Sequence, residues 1–201
     1  PNEIAALLGI DKPIAKEEDE AMDQASIARN VMRSLDNYAN SADDNIGLQH
    51  LAPAFSNISD EDKQKVLGYI NLAWNDMNSQ EGSLAMDPNI YRKMWALSKP
   101  DLSQGKGHKS AQMVVIDEAQ DTPPVLAKIV ADQSIQKVIV GDQNQAIYGF
   151  TGATDYLSTA DADVELPLTK SWRFGPQVAE VGNRFLQLLG AKHRVIGGGP
   201  D

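Results

Sequence analysis

The sequence predicts an α/β protein, with a helical N-terminal part and a parallel sheet in the C-terminal half. Three observations carry this. Apolar residues recur at helical spacing through the first 85 residues. Two short apolar runs, Met113-Val114-Val115-Ile116 and Val138-Ile139-Val140, flank a helical stretch at 123–131. That is strand, helix, strand in about 30 residues, the length of a βαβ unit. Both runs are continuously apolar, the pattern of strands covered on two faces.

The elements follow in order. Over 22–38, Ile27, Val31, Leu35 and Tyr38 form a helical stripe that Ala28 and Met32 widen. The acid run Glu17-Glu18-Asp19-Glu20 suits the start of that helix. Residues 40–58 mix Ser, Asn, Asp, Gly and Pro and read as a loop or weak helix. Ser59-Asp60-Glu61-Asp62 resembles a capping box with Asp in the last position. Val66, Leu67, Ile70, Trp74 and Met77 make a second stripe, which 78–83 break. Asp87-Pro88 reads as an N-cap and first helical residue. Ile90, Tyr91, Met94 and Trp95 follow, and Lys99-Pro100 ends the helix. The Met and aromatic residues of these helices are expected in the core. Beyond the βαβ unit, Val164, Leu166 and Leu168 alternate as a third strand would. Residues 176–189 read as a helix closed by Gly190. Residues 194–199 can start another strand, and Gly197-Gly198-Gly199-Pro200 reads most simply as a turn or chain edge.

Composition narrows the function. The chain has 201 residues, 42% hydrophobic and 23% charged, which is enough for a core. No run approaches the roughly 20 apolar residues of a membrane span. The N-terminus lacks the pattern of a signal peptide and an initiator Met, as expected of a processed chain or a piece of a longer protein. There is no cysteine, which excludes disulfides, thiolate metal sites and Cys nucleophiles. His50, His108 and His193 have no metal-ligand spacing. The net charge of −10 argues against a polyanionic partner, but its distribution softens that. Residues 1–85 carry net −9, residues 86–201 only −1, and 168–201 carry +3.

The chemistry gathers where the two strands end. Ligands of open α/β sheets bind beyond the carboxyl ends of the strands. Asp117-Glu118-Ala119-Gln120-Asp121 follows the first run. An Asp there can hold Mg²⁺, and a neighbouring Glu can orient or deprotonate a water. The plainer alternative is that both acids cap the following helix. The second run leads into Gly141-Asp142-Gln143-Asn144-Gln145-Ala146-Ile147-Tyr148-Gly149-Phe150-Thr151-Gly152-Ala153. Its glutamines can sense a phosphate, and Tyr148 and Phe150 can stack on bases. The alternative for these aromatics is a place in the core below the loop.

These two strings closely resemble motifs II and III of the UvrD/Rep-like superfamily 1A DNA helicases. Leu168-Thr169-Lys170-Ser171-Trp172-Arg173-Phe174-Gly175 resembles their motif IV. The likeness is nearest to the F-box DNA helicase branch, through Met86, Asp87, Tyr91, Lys93, Trp95, Leu97, Ser98, Pro100 and the Arg-Phe-Gly ending. The resemblance implies a partial RecA-like (P-loop NTPase) parallel sheet with an N-terminal helical insert. Residues 1–85 would be the insert, 86–167 the C-terminal half of the first motor domain, and 168–201 motif IV and the start of the second. It implies ATP and Mg²⁺ as cofactors. Asp117 would hold Mg²⁺, and Glu118 would serve the hydrolytic water. Gln145 would contact the γ-phosphate, with Gln120 and Asp142 in the same nucleotide-binding set. Trp172 would pack on adenine and Arg173 reach the γ-phosphate. Tyr148, Phe150 and Thr151 would meet single-stranded DNA. Thr151 stands where family members often carry Arg, so a charge is lost there.

The resemblance also implies a parent that hydrolyses ATP to move on single-stranded DNA, in the cytoplasm (nucleoid) or nucleus, not secreted and with no membrane partner. No G-x-x-x-x-G-K-[ST] phosphate loop is present. In Gly105-Lys106-Gly107-His108-Lys109-Ser110, His108 stands where the second Gly is needed. The chain is therefore expected to be inactive alone and to need the missing segments of the parent. Two other classes stay open: a non-catalytic binding module derived from a helicase, and a metal nuclease built on Asp117, Glu118 and Asp121.

Overall fold

The computed structural model describes residues 1–15, 21–104, 110–146 and 155–201. The acid run at 17–20 and the Gly-Lys segment at 105–109 therefore lie outside the described residues. Four helices come first: α1 (Asn2–Leu7), α2 (Gln24–Asn40), α3 (Asp60–Met77) and α4 (Pro88–Leu97). The first sheet follows as β1 (Met113–Ile116), α5 (Pro124–Ala131) and β2 (Gln136–Ile139), then α6 (Tyr156–Thr159). A second sheet comprises β3 (Lys170–Ser171) and β4 (Ile196–Gly197), joined by α7 (Pro176–Leu188). The fold is thus mixed, with short parallel sheets. Among the described residues no helix is long and apolar enough to cross a membrane.

Local chemistry sets the helix starts. Asp23 caps α2: its carboxylate accepts from the Ser26 N–H at 2.7 Å. Ser59 accepts from the Asp62 N–H at 3.1 Å and donates to the Asp62 carboxylate at 2.8 Å, a capping box closed by Asp. Asp87 caps α4, with Pro88 at the first helical position.

The stripes of α2 and α3 meet. Ile27, Val31, Leu35 and Tyr38 pack with Val66, Ile70, Ala73, Met77 and Phe55 in one core that extends to Ile90 of α4. Tyr91 and Trp95, expected inside, are exposed. Lys93 takes the buried position, three residues after buried Ile90 and so on the same face of the helix. Its ammonium donates to the carbonyls of Ser41 and Asp43 and sits 4.3 Å from the Tyr38 ring centroid. Burial pushes its pKa down to about 8. The same helix also packs on α5. A cleft of about 280 Å³ lies at this joint, lined by Lys93, Lys128 and Asp132. None of the predicted site residues lines it.

In the first sheet β1 and β2 run parallel, from Met113 opposite Gln136 to Ile116 opposite Ile139. Val114, Ile116 and Ile139 pack against Ala127, Val130 and Tyr156. The other face is not covered by described residues: Met113 is 47% and Val115 56% exposed. The expectation of burial on both faces is corrected, since α5 and α6 shield only one. The expected third strand is also absent: Val164, Leu166 and Leu168 are 71%, 82% and 88% exposed. No strand among the described residues pairs with it, so alternation alone has no ladder or buried face to stabilise it.

The triglycine tail proves to be more than a turn. Backbone donors at Ile196, Gly198 and Gly199 bond the carbonyls of Thr169, Ser171 and Phe174 at 2.7, 2.7 and 2.9 Å. A Cβ on Gly197 would lie 2.1 Å from the Gly175 backbone. Close approach therefore requires Gly here. Gly197→Ala should destabilise this second sheet by about 1–3 kcal/mol through overpacking. Hydrogen exchange checks it: the Gly198 and Gly199 amides should exchange faster in the variant.

His50 gives the helical unit a pH dependence. Its Nδ1 accepts from the Gly47 N–H at 2.9 Å, which leaves the proton on Nε2, facing Asp43 at 2.9 Å. Burial lowers its pKa below the ordinary 6.5, against the pull of Asp43. The unfolded state therefore takes up a proton near pH 6.5 that the folded state resists, and stability falls as the pH drops below that value. Thermal melts at pH 7 and 5 should show this fall, and His50→Asn, which keeps an acceptor for Gly47, should flatten it.

Candidate functional site

Two strand tips build the site. The β1–β2 pairing continues past Ile116: the Val140 N–H donates to the Ile116 carbonyl at 2.8 Å, and the Ala119 N–H to the Val140 carbonyl at 2.9 Å. The strand-end strings 117–121 and 141–145 are thereby brought side by side. Asp117 lies directly at the tip of β1, exposed, with one carboxylate oxygen accepting from the Glu118 N–H at 3.0 Å. Glu118 has a left-handed backbone, φ 52°, unusual for a residue with a side chain. Such a conformation costs about 1–3 kcal/mol and concentrates at working sites. It opens a short 3₁₀ turn over Ala119–Asp121.

Neither acid caps the following helix, since Pro123 stands at the N-cap of α5 and no side chain caps it. The capping alternative is thus not what holds Asp117 and Glu118. Both carboxylates are exposed instead. Oxygen donors of this kind suit a hard cation such as Mg²⁺. Among the described residues no three His, Cys, Asp or Glu side chains converge as a metal cage. Asp117, Glu118 and Asp121 therefore do not form the ligand group that a metal nuclease would use.

Asp142 organises the second tip. One carboxylate oxygen accepts from the Asn144 N–H at 2.9 Å, the other from the Gln145 side-chain amide at 2.8 Å. Gln145 is exposed. Gln120 joins the two tips. It is 3% exposed, and its amide spans from the Glu118 carboxylate to the Asp142 N–H. The motif resemblance groups Gln120 with the nucleotide contacts. Its place beneath Glu118 becomes visible only once the strands pair.

Tyr148, Phe150 and Thr151 lie outside the described residues. Trp172 and Arg173 follow β3 on the second sheet, both exposed. Among the described residues Arg173 makes no ion pair, so the salt-bridge alternative for it finds no partner. Lys170, which sequence reasoning did not single out, places its ammonium 4.1 Å from the Trp172 ring centroid. The two stand two residues apart at the end of β3, a spacing legible in the sequence.

Acids outnumber bases around the first-sheet site, with Asp117, Glu118, Asp121 and Asp142 within a few residues of the tips. A polyphosphate would be repelled there without a cation between. Basic groups from outside these two tips would be needed for a polyphosphate to bind here.

Residues 8–163 match the family model described as the UvrD/REP helicase N-terminal domain. The chain is 32% identical over 183 residues to F-box DNA helicase 1 of Gallus gallus, an alignment covering 85% of this chain and 18% of that protein. It is 30% identical to F-box DNA helicase protein 1 of Schizosaccharomyces pombe, covering 85% and 20%. It is 29% identical to DNA helicase IV of Escherichia coli, covering 61% and 19%. The chain thus spans about a fifth of the length of these curated relatives. With more than half of its residues inside one family model, this chain belongs to the UvrD/REP helicase family.

Proposed function

We propose that this chain is part of an ATP-dependent DNA helicase in which hydrolysis drives movement on single-stranded DNA. The observation that supports the reading most directly is the pairing of the two strand tips, which puts Asp117, Glu118, Asp142 and Gln145 at one sheet edge. In this reading the first sheet is part of a RecA-like core. Residues 1–85 are its helical insert, 86–167 the C-terminal half of the first motor domain, and 168–201 the entry into the second.

Mg²⁺, when bound, would shield phosphate oxygens and offset their charge. Asp117 would hold it. Glu118 would orient the attacking water and take its proton. Gln145, held from behind by Asp142, would face the γ-phosphate and relay its presence to the loop carrying Tyr148, Phe150 and Thr151. Those aromatics would stack on bases of single-stranded DNA. Trp172 would stack on adenine once Lys170 moves aside, and Arg173 would bring a fixed cation to the transferring phosphoryl group.

The test uses the full-length protein that carries this segment. Glu118→Gln should reduce DNA-stimulated ATP turnover by about 100-fold or more, the scale of general-base catalysis, while nucleotide binding persists. Retained turnover would remove Glu118 from its role, whereas no turnover in the unsubstituted protein would favour a non-catalytic module. Tyr148→Ala should weaken single-stranded oligonucleotide binding by about 1–3 kcal/mol in a fluorescence titration, one stacked base's worth.

A further inference from the structure

We infer that Gln120 is a positioning residue: it aims the Glu118 carboxylate and ties it mechanically to the 141–145 loop. The inference rests on the reading of Glu118 as the water-orienting group. The geometry is specific. The Gln120 Nε2 donates to Glu118 Oε2 at 2.8 Å and to Asp121 Oδ2 at 3.4 Å. Its Oε1 accepts from the Asp142 N–H at 3.0 Å. With two carboxylates on one side and a backbone N–H on the other, only one orientation of the amide works. Reversing it would set its oxygen against carboxylates and its NH₂ against an N–H.

Burial makes these bonds consequential. At 3% exposure, water does not replace a lost partner, so the amide is held. Glu118, by contrast, is exposed and otherwise free to sample rotamers. A hydrogen bond from a buried, fixed donor narrows that sampling. Gly141 is part of the same fit: a Cβ there would lie 2.5 Å from Gln120 Oε1. Gly at the end of the second strand is what lets the loop close onto the amide.

The bonds also form a chain. Gln145 leans on the Asp142 carboxylate at 2.8 Å, the Asp142 N–H leans on Gln120, and Gln120 holds Glu118. Movement of Gln145 on engaging a phosphate would shift Asp142 and, through the shared amide, the Glu118 carboxylate. Gln120 thus makes the water-orienting acid responsive to the loop that leads to the DNA contacts.

The variants separate this from a merely structural bracket. Gln120→Glu keeps an acceptor for the Asp142 N–H, and so keeps the tie between the tips. It removes the donor to Glu118 and sets a third carboxylate beside it. Gln120→Met removes both arms at similar volume, and Gly141→Ala displaces the amide from the other side. In the full-length protein, DNA-stimulated ATPase kinetics would be measured with binding of a fluorescent ATP analogue and a thermal melt. All three variants should lose kcat by about tenfold or more, the scale on which misplaced catalytic groups cost rate, with KM for ATP within about twofold. Wild-type kcat in a folded Gln120→Glu would overturn the inference while leaving the role of Glu118 standing. A raised KM with unchanged kcat would also overturn it, making Gln120 a nucleotide contact. If Gln120→Met fails to fold, Gln120→Glu decides alone. Retained turnover in Glu118→Gln would overturn the underlying reading instead, so the two failures are distinguishable.

Discussion

The structure depends on one constraint: two parallel strands must be joined by a crossover, and here the crossover is α5. A hairpin would have sent the two strand ends in opposite directions. The crossover instead brings both carboxyl ends to the same edge. Asp117 and Asp142 become neighbours for that reason alone, although 24 residues separate them in the chain. The two bonds beyond Ile116 extend the ladder just far enough to hold both strings side by side. Cation binding at Asp117, the Gln145 contact and the Gln120 bridge all use this shared edge, while Trp172 and Arg173 come from the second sheet.

A second constraint joins the helical unit to the sheet. Helix α4 belongs to both: Ile90 is buried in the helical core while the helix also packs on α5. Polar groups hold the joint. Asp36 of α2 accepts from the Asn89 side chain at 2.7 Å, and Lys93 ties α4 to the carbonyls of Ser41 and Asp43. On the other side, buried Gln133 donates to the Pro100 and Ile129 carbonyls and accepts from the Leu102 N–H at 2.9, 2.8 and 2.8 Å. It fastens the segment after α4 to the end of α5. A buried amide whose groups are all paired resists sliding, because any shift leaves a polar group unsatisfied. The helical unit and the crossover helix α5 are therefore mechanically connected.

Much was legible before folding, and the reasons are local. Asp23, Ser59 and Asp87 act on backbone groups two or three residues away, so helix starts follow from short strings. The stripes of α2 and α3 reached the core because a helix face is defined by spacing alone. The strand-end carboxylates could be placed because a strand's end and its sheet's open edge coincide. Lys93 and Trp95 went the other way. An apolar count prefers the indole inside, but the loop at 41–43 offers two carbonyls, and the Lys93 ammonium supplies donors to both.

The sequence by itself determined helices α2 to α5 and α7, the two strands of the first sheet, the order of the strand-end motifs and the family they belong to. These depend on residues close together along the chain. The tertiary structure decided which face of the first sheet is covered, that 164–168 is not a strand, and that the triglycine run begins in a strand and bonds closely against 169–174. It also decided that Gln120 faces Glu118 and Asp142 rather than solvent. Each of these outcomes depends on what packs against a segment from far along the chain, and no spacing or propensity within the segment encodes its partner.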